Sequence, residues 1–92
     1  PQFAEGYNKR ATALYMASKY RESIADCDAT LRLNPFHFGA LFGKGLNYIQ
    51  LRDFPKALEA FRATLKILPY SASAQALVRA LEKKIKAEEK ET

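Results

Sequence analysis

Pro35 and Pro69 stand 34 residues apart, and shifting the chain by 34 aligns much more than the prolines. Tyr20 falls on Phe54, Ser23 on Ala57, Ile24 on Leu58 and Leu33 on Ile67. Ala29-Thr30-Leu31 falls on Ala63-Thr64-Leu65. Between residues 4–37 and 38–71 only four pairs are identical, yet size and polarity agree far more widely. A period of this length describes stacked supersecondary units, none of which buries its apolar face alone.

Inside each unit the apolar spacing is helical. Leu51, Phe54, Leu58, Phe61, Leu65 and Leu68 step by three or four, and Tyr7, Ala11, Leu14 and Tyr15 do the same. Breaks fall near Ala17-Ser18-Lys19 and near Arg52-Asp53. Each unit ends at a proline, which opens a helix but cannot continue one. Composition agrees: 15 alanines stand against five Val and Ile together, and sheets favour β-branched residues. Leu, Ile, Val and Phe supply 22 of 92 residues, enough for a core in one small domain. The pattern predicts helices at about 3–17, 20–33, 37–51, 54–67 and 71–90, with bounds good to about two to four residues.

A 34-residue helix–turn–helix unit of this kind resembles the tetratricopeptide repeat. That family has a large residue at position 4 and small ones at 8, 20 and 27. Apolar or aromatic residues stand at 11, 17 and 24, and Pro at 32. Counting from Ala4, the first unit fills these places with Tyr7, Ala11, Leu14, Tyr20, Ser23, Cys27, Thr30 and Pro35. Counting from Phe38, the second uses Leu41, Gly45, Tyr48, Phe54, Ala57, Phe61, Thr64 and Pro69. Position 7, usually Leu, is Arg10 and Lys44 here. The resemblance implies an all-α solenoid of antiparallel helix pairs winding as a right-handed superhelix of five helices. Its divisions would be 4–37, 38–71 and a C-terminal capping helix over 72–92. Small residues let paired helices approach closely, so Gly45 is expected to be required by packing, since glycine inside a helix otherwise costs about 1 kcal/mol relative to Ala.

Residues 71–92 are not a third unit, because Arg79 stands at the small position 8 and Glu82 at the apolar position 11. Ala74, Leu77, Val78, Leu81 and Ile85 form one stripe, and polar residues fill the other side. That is the closing helix a solenoid needs at its end. Glu82 and Lys86 are spaced as a favourable helical pair. Ala87 to Thr92 are expected to fray.

Catalytic chemistry has little foothold. The lone histidine, His37, lies at the junction between Phe36 and Phe38 and reads as a junction or surface residue. No cluster of His, Cys or carboxylates has metal-ligand spacing. Asp26 and Asp28 are two apart on a helix and face different ways. The single Cys27 cannot form an internal disulfide, and it occupies a packing position. Gly39, Gly43 and Gly45 lack the strand and Lys-Ser/Thr context of a phosphate loop. No cofactor is expected. The net charge of +5 comes from scattered cations, and the run from Arg79 to Lys86 is interrupted by Glu82, so nucleic acid is disfavoured. No uncharged apolar run approaches a membrane span of about 18 residues. No leader is visible at the N-terminus. The chain opens at Pro1 rather than Met, so a piece of a longer protein is expected. One buried cysteine suits a reducing cytoplasm or organelle interior without excluding a secreted setting.

The resemblance implies a concave groove lined by the first helix of each unit. Carried over, the first unit contributes Glu5, Asn8, Thr12, Tyr15 and Met16; the second contributes Gly39, Phe42, Leu46, Ile49 and Gln50. Ser73, Ala76, Ala80 and Lys83 would come from the closing helix. Tyr15, Met16, Phe42, Leu46 and Ile49 would make an apolar strip on a face that the repeat core does not need, suited to a partner segment. The alternative is that the strip packs against the closing helix or against repeats preceding residue 1, and for Leu46 and Ile49 the two readings stand equal. A subset of the family grips acidic Glu-Glu-Val-Asp chaperone tails through a carboxylate clamp. The clamp positions here hold Lys9, Gly43, Thr12 and Leu46, so no such grip is expected. The expected function is a non-catalytic protein–protein interaction module or scaffold. Self-association as a homo-oligomer is the alternative, followed by RNA or an anionic surface.

Overall fold

The computed structural model describes residues 2–91. Thr92, placed by the sequence in the fraying tail, lies outside them. Five α-helices follow in order: α1 (Gln2–Met16), α2 (Tyr20–Leu33), α3 (Phe38–Gln50), α4 (Phe54–Ile67) and α5 (Ala72–Glu91). The sequence placed the bounds of each to within one residue. Each helix packs antiparallel on the next, α1 on α2 through to α4 on α5.

The turns within the two helix pairs share one solution. Lys19 N–H donates to Leu14 O at 2.8 Å and Ser18 N–H to Tyr15 O at 3.0 Å. Thirty-four residues on, Asp53 N–H donates to Tyr48 O and Arg52 N–H to Ile49 O, both at 2.9 Å. These are Schellman closures, which need a left-handed residue at the turn. Ser18 (φ 63°) and Arg52 (φ 60°) supply it, although glycine does so without steric penalty. Asp53 then accepts from Lys56 N–H to start α4, with Pro55 in its first turn. Ser71 accepts from Ala74 N–H to start α5.

The two pairs fill their interiors differently. The second pair and α5 enclose Phe54, Ala57, Leu58, Phe61 and Leu81, with Leu77, Val78 and Ile85 half-buried beside them. Phe61 is fully buried and meets Phe42 edge-on, ring centroids 5.1 Å apart. Gly45 makes room for it: a Cβ there would lie 2.6–2.8 Å from three atoms of the Phe61 ring. In the first pair the equivalent positions hold Ala11 and Cys27, both buried beside Ala40. A slightly larger residue at one position and a much smaller one at the other leave that interior less filled.

Charges stitch the first three helices. Arg10, one of the departures from the family's leucine, forks onto Asp26 at 2.6 and 2.9 Å. Lys44, the other, reaches Asp28 at 2.7 Å. Thus the two aspartates of α2 face α1 and α3 respectively. Burial alone pulls the Lys44 ammonium down, but hydrogen bonding and charge from Asp28 outweigh it and leave the pKa raised.

Two sequence expectations are corrected. Glu82 does not serve Lys86 but accepts from Arg62 of α4 at 2.6 Å, because α5 lies against α4 at that turn. Ala87 to Glu91, expected at a frayed end, are placed in the helix: α5 continues to Glu91, as a run of strong helix formers allows.

Two stability outcomes follow. Gly45→Ala gains about 1 kcal/mol of helix propensity but overpacks a ring with nowhere to move, at about 1–3 kcal/mol. Its melting temperature should fall, by about 4–8 °C per net kcal/mol lost. Ser18→Gly relieves about 1–2 kcal/mol of left-handed strain against about 0.4–1 kcal/mol of added unfolded-chain entropy, and so should raise it. Arg52→Gly should gain less, because the Arg52 guanidinium also lies 5.2 Å from the Phe54 ring centroid. Thermal melts of the three variants check both expectations.

Candidate cleft between the first and third helices

The smaller interior of the first pair opens into a cleft between α1 and α3, with α2 as its floor. Its volume is about 300 Å³. Asn8, Thr12 and Tyr15 line it from α1; Gly39, Gly43 and Leu46 line it from α3. Ala11, Ser23, Cys27 and Asn47 form the rest of its wall. Gly43 faces Cys27 across it: a Cβ at Gly43 would sit 3.7 Å from the sulfur, an ordinary contact. Neither residue is large enough to fill the gap.

A polar chain ties the three helices beneath the cleft. Ser23 Oγ donates to Ala11 O at 2.6 Å. Asn47 Nδ2 donates to Ser23 Oγ at 2.9 Å and to Gly43 O at 3.0 Å. Asn47 is buried, and its Oδ1 has no partner among the described residues. One end of the α1–α3 seam is joined by His37 and Glu5. His37 Nδ1 accepts from Ala40 N–H at 3.0 Å, capping α3, so in the neutral ring Nε2 carries the proton and donates to Glu5 Oε1 at 2.6 Å. The junction histidine of the sequence is therefore a cap and a seam residue.

Five of the residues expected in the groove, Asn8, Thr12, Tyr15, Gly39 and Leu46, come together here. Phe42 and Ile49 do not line the cleft; with Leu46 they lie half-buried against the core of α4 and α5. The expectation that this strip stands clear of the core is corrected for Phe42, whose ring meets Phe61. Met16 is 78% exposed and outside the cleft lining. Tyr15 also meets Tyr20 edge-on, centroids 5.7 Å apart. The sequence reading missed Asn47. Its one signal was a lone amide one turn after Gly43, on the side of α3 that also carries Ala40.

The cleft carries no reactive group. Burial pushes the Cys27 thiol up to about 11, with the charge of Asp28 adding to it. At neutral pH it is an uncharged thiol rather than a nucleophile. No group of three or more His, Cys, Asp or Glu is placed to hold a metal among the described residues.

Comparison with known proteins decides what this arrangement is. The tetratricopeptide repeat model matches residues 8–72. The chain belongs to the tetratricopeptide repeat family. It is 34% identical over 85 residues to a TPR repeat-containing protein of Rhizobium etli, covering 92% of this chain but only 42% of that one. Among solved structures it superposes on the first TPR of Spaghetti (RPAP3) bound to the HSP90 peptide SRMEEVD, with a TM-score of 0.82 and 20% identity. That match covers 86% of this chain and 63% of the other, and shows the fold alone. The TPR2B domain of yeast Sti1, in complex with pHsp70, gives a TM-score of 0.79 at 26% identity, covering 91% and 72%. Tetratricopeptide repeats are in general protein–protein interaction modules and typically non-catalytic. No helix among the described residues is long and apolar enough to cross a membrane.

The thiol provides the check on this geometry. Cys27 should react with an aromatic disulfide reagent at neutral pH far more slowly than a free cysteine does. The rate should rise to the free value on unfolding in denaturant. Native-state reaction at the free rate would contradict the burial described.

Proposed function

We propose that this tetratricopeptide domain is a non-catalytic scaffold that seats a segment of a partner protein between α1 and α3. The observation that carries the reading is the cleft itself. An uncharged space of about 300 Å³ opens at the groove position, lined by Asn8, Thr12 and Tyr15 on one side and Leu46 on the other. Neutral polar side chains there suit the backbone of an extended segment, and Tyr15 and Leu46 suit an apolar side chain. One structural neighbour is bound to an HSP90 peptide and the other is in complex with pHsp70, which supports a partner-binding role for this domain. Acidic chaperone tails are not its proposed ligand, because the clamp positions hold Lys9, Gly43, Thr12 and Leu46.

A second reading is self-association. Six large apolar residues are exposed at one end of the bundle: Phe3, Leu33, Phe36, Phe38, Leu68 and Tyr70. The antiparallel order brings the starts of α1 and α3 and the ends of α2 and α4 to that end. A concentration of apolar side chains of this kind marks an association surface.

Selection from a random peptide library tests the first reading. Peptides captured by the wild-type chain should lose at least about tenfold in affinity, or about 1.4 kcal/mol, toward Thr12→Arg and Tyr15→Ala. Binding to Met16→Ala should be unchanged, and circular dichroism should show all three variants folded. Equal binding to the Thr12→Arg variant would place the site elsewhere. Molar mass that rises with concentration in light scattering, and falls back in Phe36→Ser with Tyr70→Ser, would establish the second reading.

A further inference from the structure

We propose that the outward face of α5 is a docking surface for an acidic helical segment of a partner protein, separate from the α1–α3 cleft. Arg79, Lys83, Lys86 and Lys90 recur at i, i+4, i+7 and i+11. They therefore share one side of the helix and run along about 16 Å of it. All four are exposed. The opposite side carries Ala74, Leu81 and Ile85 into the contact with α4. No ion pair of the described residues engages any of the four.

In the sequence, Glu82 interrupts this basic run. In the fold Glu82 borders the same hollow as Arg79, Lys83 and Lys86, but its carboxylate is engaged by Arg62 of α4 at 2.6 Å. Lys84, which lies off the stripe, is placed over the Phe54 ring, 5.6 Å from its centroid. The remaining cations keep to one side of α5, bordered by Glu82 and Glu89, on a chain of net charge +5.

The form of the surface selects among anionic partners. Ala76, Ala80 and Lys83, which the resemblance would bring to the groove, do not line the α1–α3 cleft. Ala76, Ala80 and Ala87 lie exposed beside the stripe, and small residues let a second helix approach to about 8–10 Å between axes. A shallow hollow of about 560 Å³ lies there, lined by Arg79, Ala80, Glu82, Lys83 and Lys86. Carboxylates repeating every three to four residues on a facing helix would match the cation spacing. A nucleic-acid strand would call for aromatic platforms beside the charges, and α5 contains no aromatic residue. A membrane-surface helix needs an apolar face to insert, and α5 has already spent its own on α4.

The test uses the full chain and a labelled alanine-rich helical peptide with Glu at i, i+4, i+7 and i+11, followed by fluorescence anisotropy. Binding should be strongest at low salt and weaken as salt is added. The Gln-for-Glu peptide and the Lys83→Glu/Lys86→Glu double variant should each lose about tenfold or more in affinity, since several exposed charge pairs are removed together. Both lysines are exposed, so the variant should keep its helicity by circular dichroism. Thr12→Arg, in the cleft, should bind the acidic peptide as wild type does. Absence of binding, or equal binding of the Gln peptide or the double variant, would overturn the proposal. Tighter binding to single-stranded nucleic acid or to phosphatidylserine vesicles than to the peptide would overturn it as well.

Discussion

The close approach of Gly45 to the Phe61 ring is the contact on which the rest of the structure depends. It sets the distance between α3 and α4, because any side chain at Gly45 would enter the ring. The ring in turn fills the interior on which α5 and Phe42 pack. A glycine in mid-helix weakens that helix, so the energy that holds α3 in place comes from burial rather than propensity. Where the same two positions hold Ala11 and Cys27, the helices still pair, but the interior is smaller and space is left over. The α1–α3 cleft is therefore the counterpart, in the first helix pair, of the volume that Phe61 and Phe42 occupy in the second.

Polar contacts compensate for what the first pair lacks in apolar volume. Arg10 forks onto the nearly buried Asp26, Lys44 reaches Asp28, and Asn47 and Ser23 pass a hydrogen-bond chain from α3 through α2 to α1. Such bonds are directional and fix the helices at defined spacings. A cleft held open by directional bonds is better preorganised for a ligand than one lined only by flexible apolar side chains.

The fold was legible because it is written twice. The 34-residue period, the prolines and the small residues at matched positions specify helix pairs, and five helices follow to within a residue. Cys27 on the position of Phe61 was also visible, and its burial was read correctly. What could not be read was the consequence of that pair for shape, because the cleft depends on the combination of Ala11, Cys27 and Gly43 across three helices. Asn47 was passed over for the same reason: its partners are 4 and 24 residues away, and only the second distance reveals a role. Phe42 was assigned to a free face because position alone does not show which way an aromatic ring leans. The left-handed turn residues Ser18 and Arg52 carry no glycine to announce them. Glu82 illustrates the limit of helical spacing, since a tertiary partner outcompeted the one four residues away.

The most direct test of the account is a double-mutant cycle between Gly45 and Phe61, measured by chemical denaturation. Phe61→Leu removes the ring edge that a Cβ at Gly45 would strike. In that background Gly45→Ala should become neutral or stabilising, giving a coupling energy of about 1–3 kcal/mol between the two sites. The same destabilisation by Gly45→Ala in both backgrounds would mean that the contact does not set the helix spacing, and the explanation of the cleft would fail with it.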